Sequence, residues 1–424
     1  MKLTKIFSTV LCFALTGSMM MYASASGSSD VVDPVEIKMA AWNSSAGPIY
    51  EEAAEKFNER QDKIHFTVEM QPGDYSQYLG AKTVSNDLPD LFFLSPYSQV
   101  SDFAENGRIL DLSDQPFVSR IYENTKASVT HDDKIYAYPM NQEFWGVFYN
   151  IDLFEKAGIT KIPETFSELK TVCEELQAQG ITPFAATYKD SWTTEQIFTA
   201  LFAQNMGSNL NEWTQKMNNG EESFQQEGVE RVFAFLDLMK EYSGKNIMDA
   251  DSTAGYNSFA NGDAAMIFLG QFALRSAQKV NPEIKVGMFA APISENPGEA
   301  KVISNVAITI AVNKNSEHLE EALEVLDFLS DNTDTDGWIS TVFDSYGSPM
   351  PCMDFDIKNI KDESYYISAS EAINNGDILK RFVTELPTGI TTDIGNIIQG
   401  YFTDTETPET VIQKLDETMA NYLQ

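Results

Sequence analysis

The sequence predicts an α/β protein of more than one domain, and three observations carry that expectation. Short alternating or wholly apolar strands take turns with helices through the first hundred residues, which is the order of an α/β layer structure. The chain has 424 residues and 43% hydrophobic content, enough for two or three domains with packed cores. A strand-like run ending in Gly146-Val147-Phe148-Tyr149-Asn150 then delivers the chain into a helix with its own start signal, which reads as a crossing point.

The elements follow in order. Residues 1–25 carry Lys2 and Lys5, an apolar run from Ile6 to Leu15 and the small-residue site Ala23-Ser24-Ala25, so they are expected to be a signal peptide and are excluded from the fold. That apolar run is too short for a permanent membrane span, and the mature chain is expected to be soluble. Residues 26–34 are a polar linker. Val35 to Trp42 alternates as a strand, and Pro48 opens a helix with Ile49, Ala53 and Phe57 on one face. Ile64 to Met70 alternates again, a helix follows near Tyr75 to Val84, and Leu91-Phe92-Phe93-Leu94 reads as a doubly buried parallel strand. Thr165 and Glu168 have capping-box spacing and start a helix over 165–179, with further helices at 193–206 and 228–242. Val306 to Val312 is a buried-strand run, and Ser316 precedes a helix with Leu319, Leu323, Leu326 and Phe328 at helical spacing. A helix at 394–402 comes before the last one, which Thr407 caps and Pro408 begins, with Val411, Leu415, Met419 and Tyr422 inward.

Composition excludes several functions. The chain carries 29 Lys and Arg against 63 Asp and Glu, a net charge of −34, and such a surface repels phosphate backbones and anionic lipids. Nucleic acid is therefore not expected as a partner. Cys173 and Cys352 have no metal spacing and read as two unpaired thiols, with a bridge between them left open by export. There is no nucleophile elbow, no H-E-x-x-H and no Walker loop, and the histidines are His65, His131 and His318, so no catalytic residue and no cofactor is expected. Two carboxylates suffice for glycoside hydrolysis, and a secreted carbohydrate-active enzyme stays open as a minor alternative. Asn332-Thr333-Asp334-Thr335-Asp336-Gly337 mimics half of an EF-hand loop, but Phe343 stands where the bidentate Glu is required, so an acidic surface turn and no metal is expected.

The run Tyr138-Pro139 through Tyr149-Asn150-Ile151-Asp152-Leu153-Phe154, followed by Pro163-Glu164-Thr165-Phe166-Ser167-Glu168-Leu169, resembles the hinge region of ABC-transporter solute-binding proteins, the extracellular family 1 that includes maltose-binding protein. Leu88-Pro89-Asp90-Leu91-Phe92, Phe259 to Ile267 and Gly270-Gln271-Phe272 are similar to further motifs of that family, in order. The resemblance implies a two-lobed, type II periplasmic-binding-protein-like fold, each lobe an α/β sheet flanked by helices. It places 35–140 plus 304–346 in lobe 1 and 141–303 plus 347–424 in lobe 2. It implies export to the extracellular face of the cytoplasmic membrane or the periplasm, a monomer, and docking on the permease subunits of an ABC importer. The lipid anchor common in Gram-positive members is not supported, because Leu15-Thr16-Gly17 is followed by Ser18 and Cys12 lies inside the apolar run.

A sugar presents C–H faces and a rim of hydroxyls, so its site needs aromatic platforms and fixed hydrogen-bonding groups. By position in the family, ligand contacts are expected from Trp42 and Asn43 at the end of the first strand, and from Ser95 and Tyr97 after the third. Others are Glu143 and Trp145 beyond the hinge proline, Asp190 and Trp192 in an acid-x-aromatic segment, Gln271 and Phe272 at the family's stacking position, and Asp393. Aromatics and amides outnumber basic residues at these positions, so the expected ligand is a neutral mono- or oligosaccharide. The alternative is a polyamine or other small organic cation, with Asp190, Glu143 and Asp393 as counter-ions.

Overall fold

The computed structural model describes residues 33–42, 47–71, 75–331, 350–352, 369, 371–373 and 375–424, and residues 34–424 belong to one compact unit. The expected signal peptide at 1–25, nearly all of the linker, Asn43 and the EF-hand-like turn at 332–337 lie outside the described residues.

The first strands and helices fall where pattern placed them. Strand β1 (Val35–Trp42), helix α1 (Gly47–Asn58), β2 (Ile64–Gln71), α2 (Tyr75–Ser85) and β3 (Leu91–Leu94) alternate, and β1 pairs in parallel with both β2 and β3. All four residues of β3 are buried, as a strand covered on both faces requires. Helices α3 (Ser98–Glu105) and α4 (Glu123–Lys126) and the short hairpin β4 (Thr130–His131) and β5 (Lys134–Ile135) complete this part.

Two long strands then organise the molecule. Strand β6 (Tyr138–Asn150) and strand β10 (Val302–Val312) pair antiparallel along most of their length. Between them in the chain come α5 (Ile151–Ala157), α6 (Phe166–Ala178), β7 (Thr182–Phe184), α7 (Ser191–Met206), α8 (Leu210–Asn218), α9 (Val229–Tyr242), α10 (Ser252–Ala260), β8 (Ala264–Gly270), α11 (Phe272–Val280) and β9 (Val286–Phe289). After β10 come α12 (Leu319–Ser330), β11 (Met350–Pro351), β12 (Ile378–Lys380), α13 (Ile390–Phe402) and α14 (Pro408–Tyr422). The main sheet runs β2-β1-β3-β10-β6-β8-β7, with β9 and β11 also on β6 and β12 on β10.

These two strands pass between separate hydrophobic cores. Tyr138 and Met140 of β6 and Val306 to Val312 of β10 pack with β1 to β3, α1 and α12. Trp145 and Val147 of β6 and Ile303 of β10 pack instead with α6, α7, α9, α13 and α14, while Phe144, Phe148 and Val302 join a third cluster with α10, α11 and β8. Where the strands cross, the packing turns polar. Asn141, Gln142, Ser304 and Asn305 are all buried there. The register also slips on either side of Ile308, and such a bulge re-aims the side chains beside it.

Local signals held with two amendments. Thr165 caps α6 by accepting from Glu168 N at 3.2 Å, but the Glu168 carboxylate takes the Glu164 N–H at 2.8 Å rather than completing a reciprocal box. Thr407 caps α14, yet Tyr422 points outward, with its hydroxyl donating to Asp393 Oδ2 at 3.0 Å. Both Cys173 and Cys352 are free and buried, and Cys352 packs in the core of β1 to β3.

Candidate functional site

A cavity of about 620 Å³ opens where the cores meet, and Trp42, Glu143, Trp192 and Phe272 line it together. Trp42 ends β1 and rests edge-on against Tyr75 at 5.6 Å and Phe93 at 5.1 Å between ring centroids. Tyr75 is itself fixed, accepting from Phe93 N at 3.1 Å and donating to Ala40 O at 3.0 Å. Ala307 and Ile308, beside the register slip of β10, complete this wall.

The opposite wall is built by α7, α10 and α11. Trp192 lies in the first turn of α7 and is 38% exposed, the state of an aromatic facing a cavity rather than a core. Its helix start is tied down on several sides. The Asp190 carboxylate accepts from Ser252 N at 2.8 Å, Thr193 Oγ1 donates to Thr187 O at 2.7 Å, and Thr194 Oγ1 donates to Gly395 O at 2.9 Å. Gly395 is required at that contact, because a Cβ there would meet the Ser191 carbonyl oxygen at 2.2 Å. Phe272 meets Trp192 at 5.9 Å with the rings tilted by 52°.

Gln271 holds Phe272 in place from behind. It is buried, its N–H donates to Phe144 O at 3.0 Å, and its side-chain oxygen accepts from Phe144 N at 2.9 Å. Two hydrogen bonds thereby extend the β6–β8 pairing by one residue and aim α11 at the cavity. From Phe272 onward, Arg275, Ser276 and Lys279 follow at three, four and seven residues and line the cavity along one face of α11. Helix α10 contributes Ser252, Thr253, Tyr256 and Asn257.

Glu143 is the acid of this lining. Its carboxyl is pushed up from 4.5 to about 7, chiefly because burial disfavours its charged form, with Arg381 pulling the other way. Among the described residues no side chain or backbone N–H donates to its carboxylate, and Glu143 lines the cavity. Burial likewise pushes the Tyr256 hydroxyl well up.

The other expected contacts lie elsewhere. Gln142, next to Glu143 on β6, lines a second cavity of about 790 Å³, because successive strand residues face opposite sides. Tyr97 lines that second cavity too. Its positive φ of 62° turns the chain between β3 and α3, and Lys380 sits over its ring at 5.4 Å. Ser95 is exposed outside both cavities and donates its N–H to Gln99 Oε1 at 2.7 Å. Trp145, two residues beyond Glu143, is buried in a core, donates to Gln196 Oε1 at 2.9 Å and carries the Arg381 guanidinium on its face at 5.4 Å. Asp190 and Gln271 support the lining without joining it, and Asp393 is engaged by Tyr422. Conversely, Tyr256, Asn257, Arg275, Ser276 and Lys279 were not expected, although their spacing from Phe272 and along α10 is helical.

A model of the family described as bacterial extracellular solute-binding protein matches residues 41–335. The chain belongs to that family. Among curated members of known name, a multiple sugar-binding protein of Streptococcus mutans is 23% identical over 306 residues, covering 69% of this chain and 70% of its own. The melibiose/raffinose/stachyose-binding protein MelE of Bacillus subtilis is 24% identical over 383 residues, covering 86% and 84%. Among solved structures, the solute-binding protein RafE in complex with raffinose matches with a TM-score of 0.82 at 21% identity, over 92% of this chain and all of that one. A sugar transporter of Bacillus licheniformis in complex with stachyose gives 0.76 at 23% identity, with the same coverage. This solute-binding protein therefore has the two-lobed, type II α/β fold. Among its described residues no helix is long and apolar enough to cross a membrane, and no group of His, Cys, Asp and Glu is placed to hold a metal.

Proposed function

We infer that this protein is the exported receptor of an ABC importer, which captures a carbohydrate between its two lobes and presents it to membrane permease subunits. The observation that carries the reading is the lining of one cavity by Trp42, Trp192 and Phe272 together with Glu143 and the hydroxyl and amide groups of α10 and α11, drawn from both cores. Aromatic faces suit the C–H faces of a pyranose, and the polar groups suit its rim. Relatives named for melibiose, raffinose and stachyose support the same class of ligand.

Lobe 1 is assigned to 35–140 plus 304–346 and lobe 2 to 141–303 plus 347–424, with β6 and β10 as the hinge strands. Cys352, in the stretch assigned to lobe 2, packs against the core built on β1 to β3. Closure is favourable when one ligand touches both walls, because only then does it bind the closed state better than the open one. The protein acts as a monomer and returns its solute unchanged, without catalysis. The organic-cation alternative loses support in the lining, where Arg275 and Lys279 oppose a cation and neither Asp190 nor Asp393 takes part.

A thermal-shift screen of the exported chain against saccharides, polyamines and amino acids tests this reading, since a ligand of the native state raises the melting temperature with its concentration. A saccharide hit recovered chemically unchanged supports it. A polyamine hit, or a sugar consumed in the assay, overturns it.

A further inference from the structure

We propose that capture of a saccharide in this cavity releases a proton from Glu143, which meets a ligand hydroxyl as a carboxylate while Tyr256 on α10 bonds a neighbouring oxygen of the same sugar. The proposal rests on the carbohydrate reading and deepens it.

Three observations carry it. The first is placement. Glu143 lies on the hinge strand β6 opposite Asn305 of β10, its backbone oxygen accepts from Ser304 Oγ at 3.0 Å, and the residue lines the cavity with Trp192 and Phe272. The second is isolation. Among the described residues nothing donates to the Glu143 carboxylate, and the cation that acts on it, Arg381, lies outside the lining and is bound to Glu195. The third is the partner group. Tyr256 lines the same cavity within electrostatic range of Glu143, and Ser252 hydrogen-bonds its hydroxyl. Burial keeps that phenol neutral, and a hydroxyl has one donor and two acceptor positions, so Ser252 does not exhaust it.

The linkage follows from these surroundings. Burial without donors favours the protonated acid, and the carboxyl is raised to about 7. A sugar hydroxyl that donates to it favours the carboxylate, because a hydrogen bond to a charged acceptor is the stronger one. The hydroxyl keeps its own proton, and the proton of the acid passes to solvent. Other charged or titratable groups fronting Glu143 are Arg381 after β12, Tyr256 on α10, and Arg275 and Lys279 on α11, with Asp190 acting through Tyr256. Arginine, lysine and aspartate ordinarily titrate far from neutral pH, whereas Glu143 changes charge there.

The test is calorimetric titration with neutral glucose-, xylose- and galactose-based tri- and tetrasaccharides, close to neutral pH, in buffers of different ionisation enthalpy. The expected result for wild type is a heat that reports proton release, and an affinity that rises by up to about tenfold from about pH 6 to about pH 8. Glu143→Gln is expected to show neither effect, and Tyr256→Phe to bind several-fold more weakly with proton release intact. Infrared difference spectra assign the proton without relying on binding by a variant. A protonated-carboxyl band of wild type should be lost on adding sugar, and should be missing from Glu143→Gln before any sugar is added. Buffer-independent heats with a flat affinity, proton uptake, release that persists in Glu143→Gln, or unchanged affinity in Tyr256→Phe overturns the proposal and leaves the carbohydrate reading standing. Failure of every saccharide overturns both.

Discussion

Arg381 and Glu195 form a buried ion pair behind the cavity, with side-chain exposures of 16% and 3%. Glu195 lies one turn into α7, the helix that presents Trp192, and Arg381 follows β12, which is paired to the hinge strand β10. The guanidinium also covers Trp145 and supplies the field that partly restrains Glu143. One cation thus ties the hinge region to the helix that bears the exposed tryptophan.

Replacing Arg381 by Met leaves Glu195 as a buried charge without its partner. Loss of one member of such a pair costs about 3–5 kcal/mol. Chemical denaturation of Arg381→Met is expected to show a loss of that size, and Arg381→Met with Glu195→Gln is expected to recover most of it. Equal losses in the single and double variants contradict this.

The Glu143 carboxyl, raised from 4.5 to about 7, fixes the sign of a pH effect. Between those values the folded state holds a proton that the unfolded chain releases, so stability falls as pH rises. The contribution is fully present below about 4.5 and lost above about 7. The titratable groups around it are Arg381, Tyr256 on α10, and Arg275 and Lys279 along the same cavity. Glu143→Gln does not titrate, so its stability relative to wild type should rise through this window by on the order of 1–3 kcal/mol, reduced from the full shift because the group is partly exposed. Parallel stability curves for the two proteins count against the buried-carboxyl assignment.

Trp192 and Trp145 are expected to separate binding from stability. Trp192→Ala removes a ring that is 38% exposed, and should weaken saccharide binding at least tenfold for a small change in melting temperature. Trp145→Ala empties a packed site and breaks the bond to Gln196, so about 3–5 kcal/mol of stability is lost. Calorimetry and thermal unfolding of both variants check the contrast.

Gly395→Ala tests how Trp192 is positioned. The added methyl meets Ser191 backbone atoms at 2.2 and 2.8 Å, and backbone cannot turn aside as a side chain can. An overpacking cost of about 1–3 kcal/mol is expected, together with a change in tryptophan fluorescence as the start of α7 is displaced. Wild-type stability and spectrum in this variant contradict the close approach.

Much of this arrangement was legible in the sequence. Alternation located β1 and β2, and the apolar run at 91–94 located β3, because pleat and burial impose those patterns directly. Trp42, Glu143, Trp192 and Phe272 were expected from the positions they hold in the family resemblance, and they line one cavity. What sequence could not settle is which way a side chain turns once backbone geometry intervenes. Tyr97 is swung to the second cavity by its positive φ, Gln271 spends its backbone N–H and its side-chain oxygen on Phe144, and Asp393 meets a tyrosine from the last helix. Arg275 and Lys279 went unseen for the opposite reason. The helical stripe from Phe272 was readable, but nothing in it says that this face of α11 fronts a cavity rather than solvent.

The most direct measurement is calorimetric titration of the saccharide hit from the thermal screen into wild type, Trp192→Ala and Glu143→Ala. Capture between the lobes predicts one site in wild type, with binding lost or greatly weakened in both variants while each remains folded. Full affinity in both variants contradicts the account, because the ligand then binds somewhere other than this cavity.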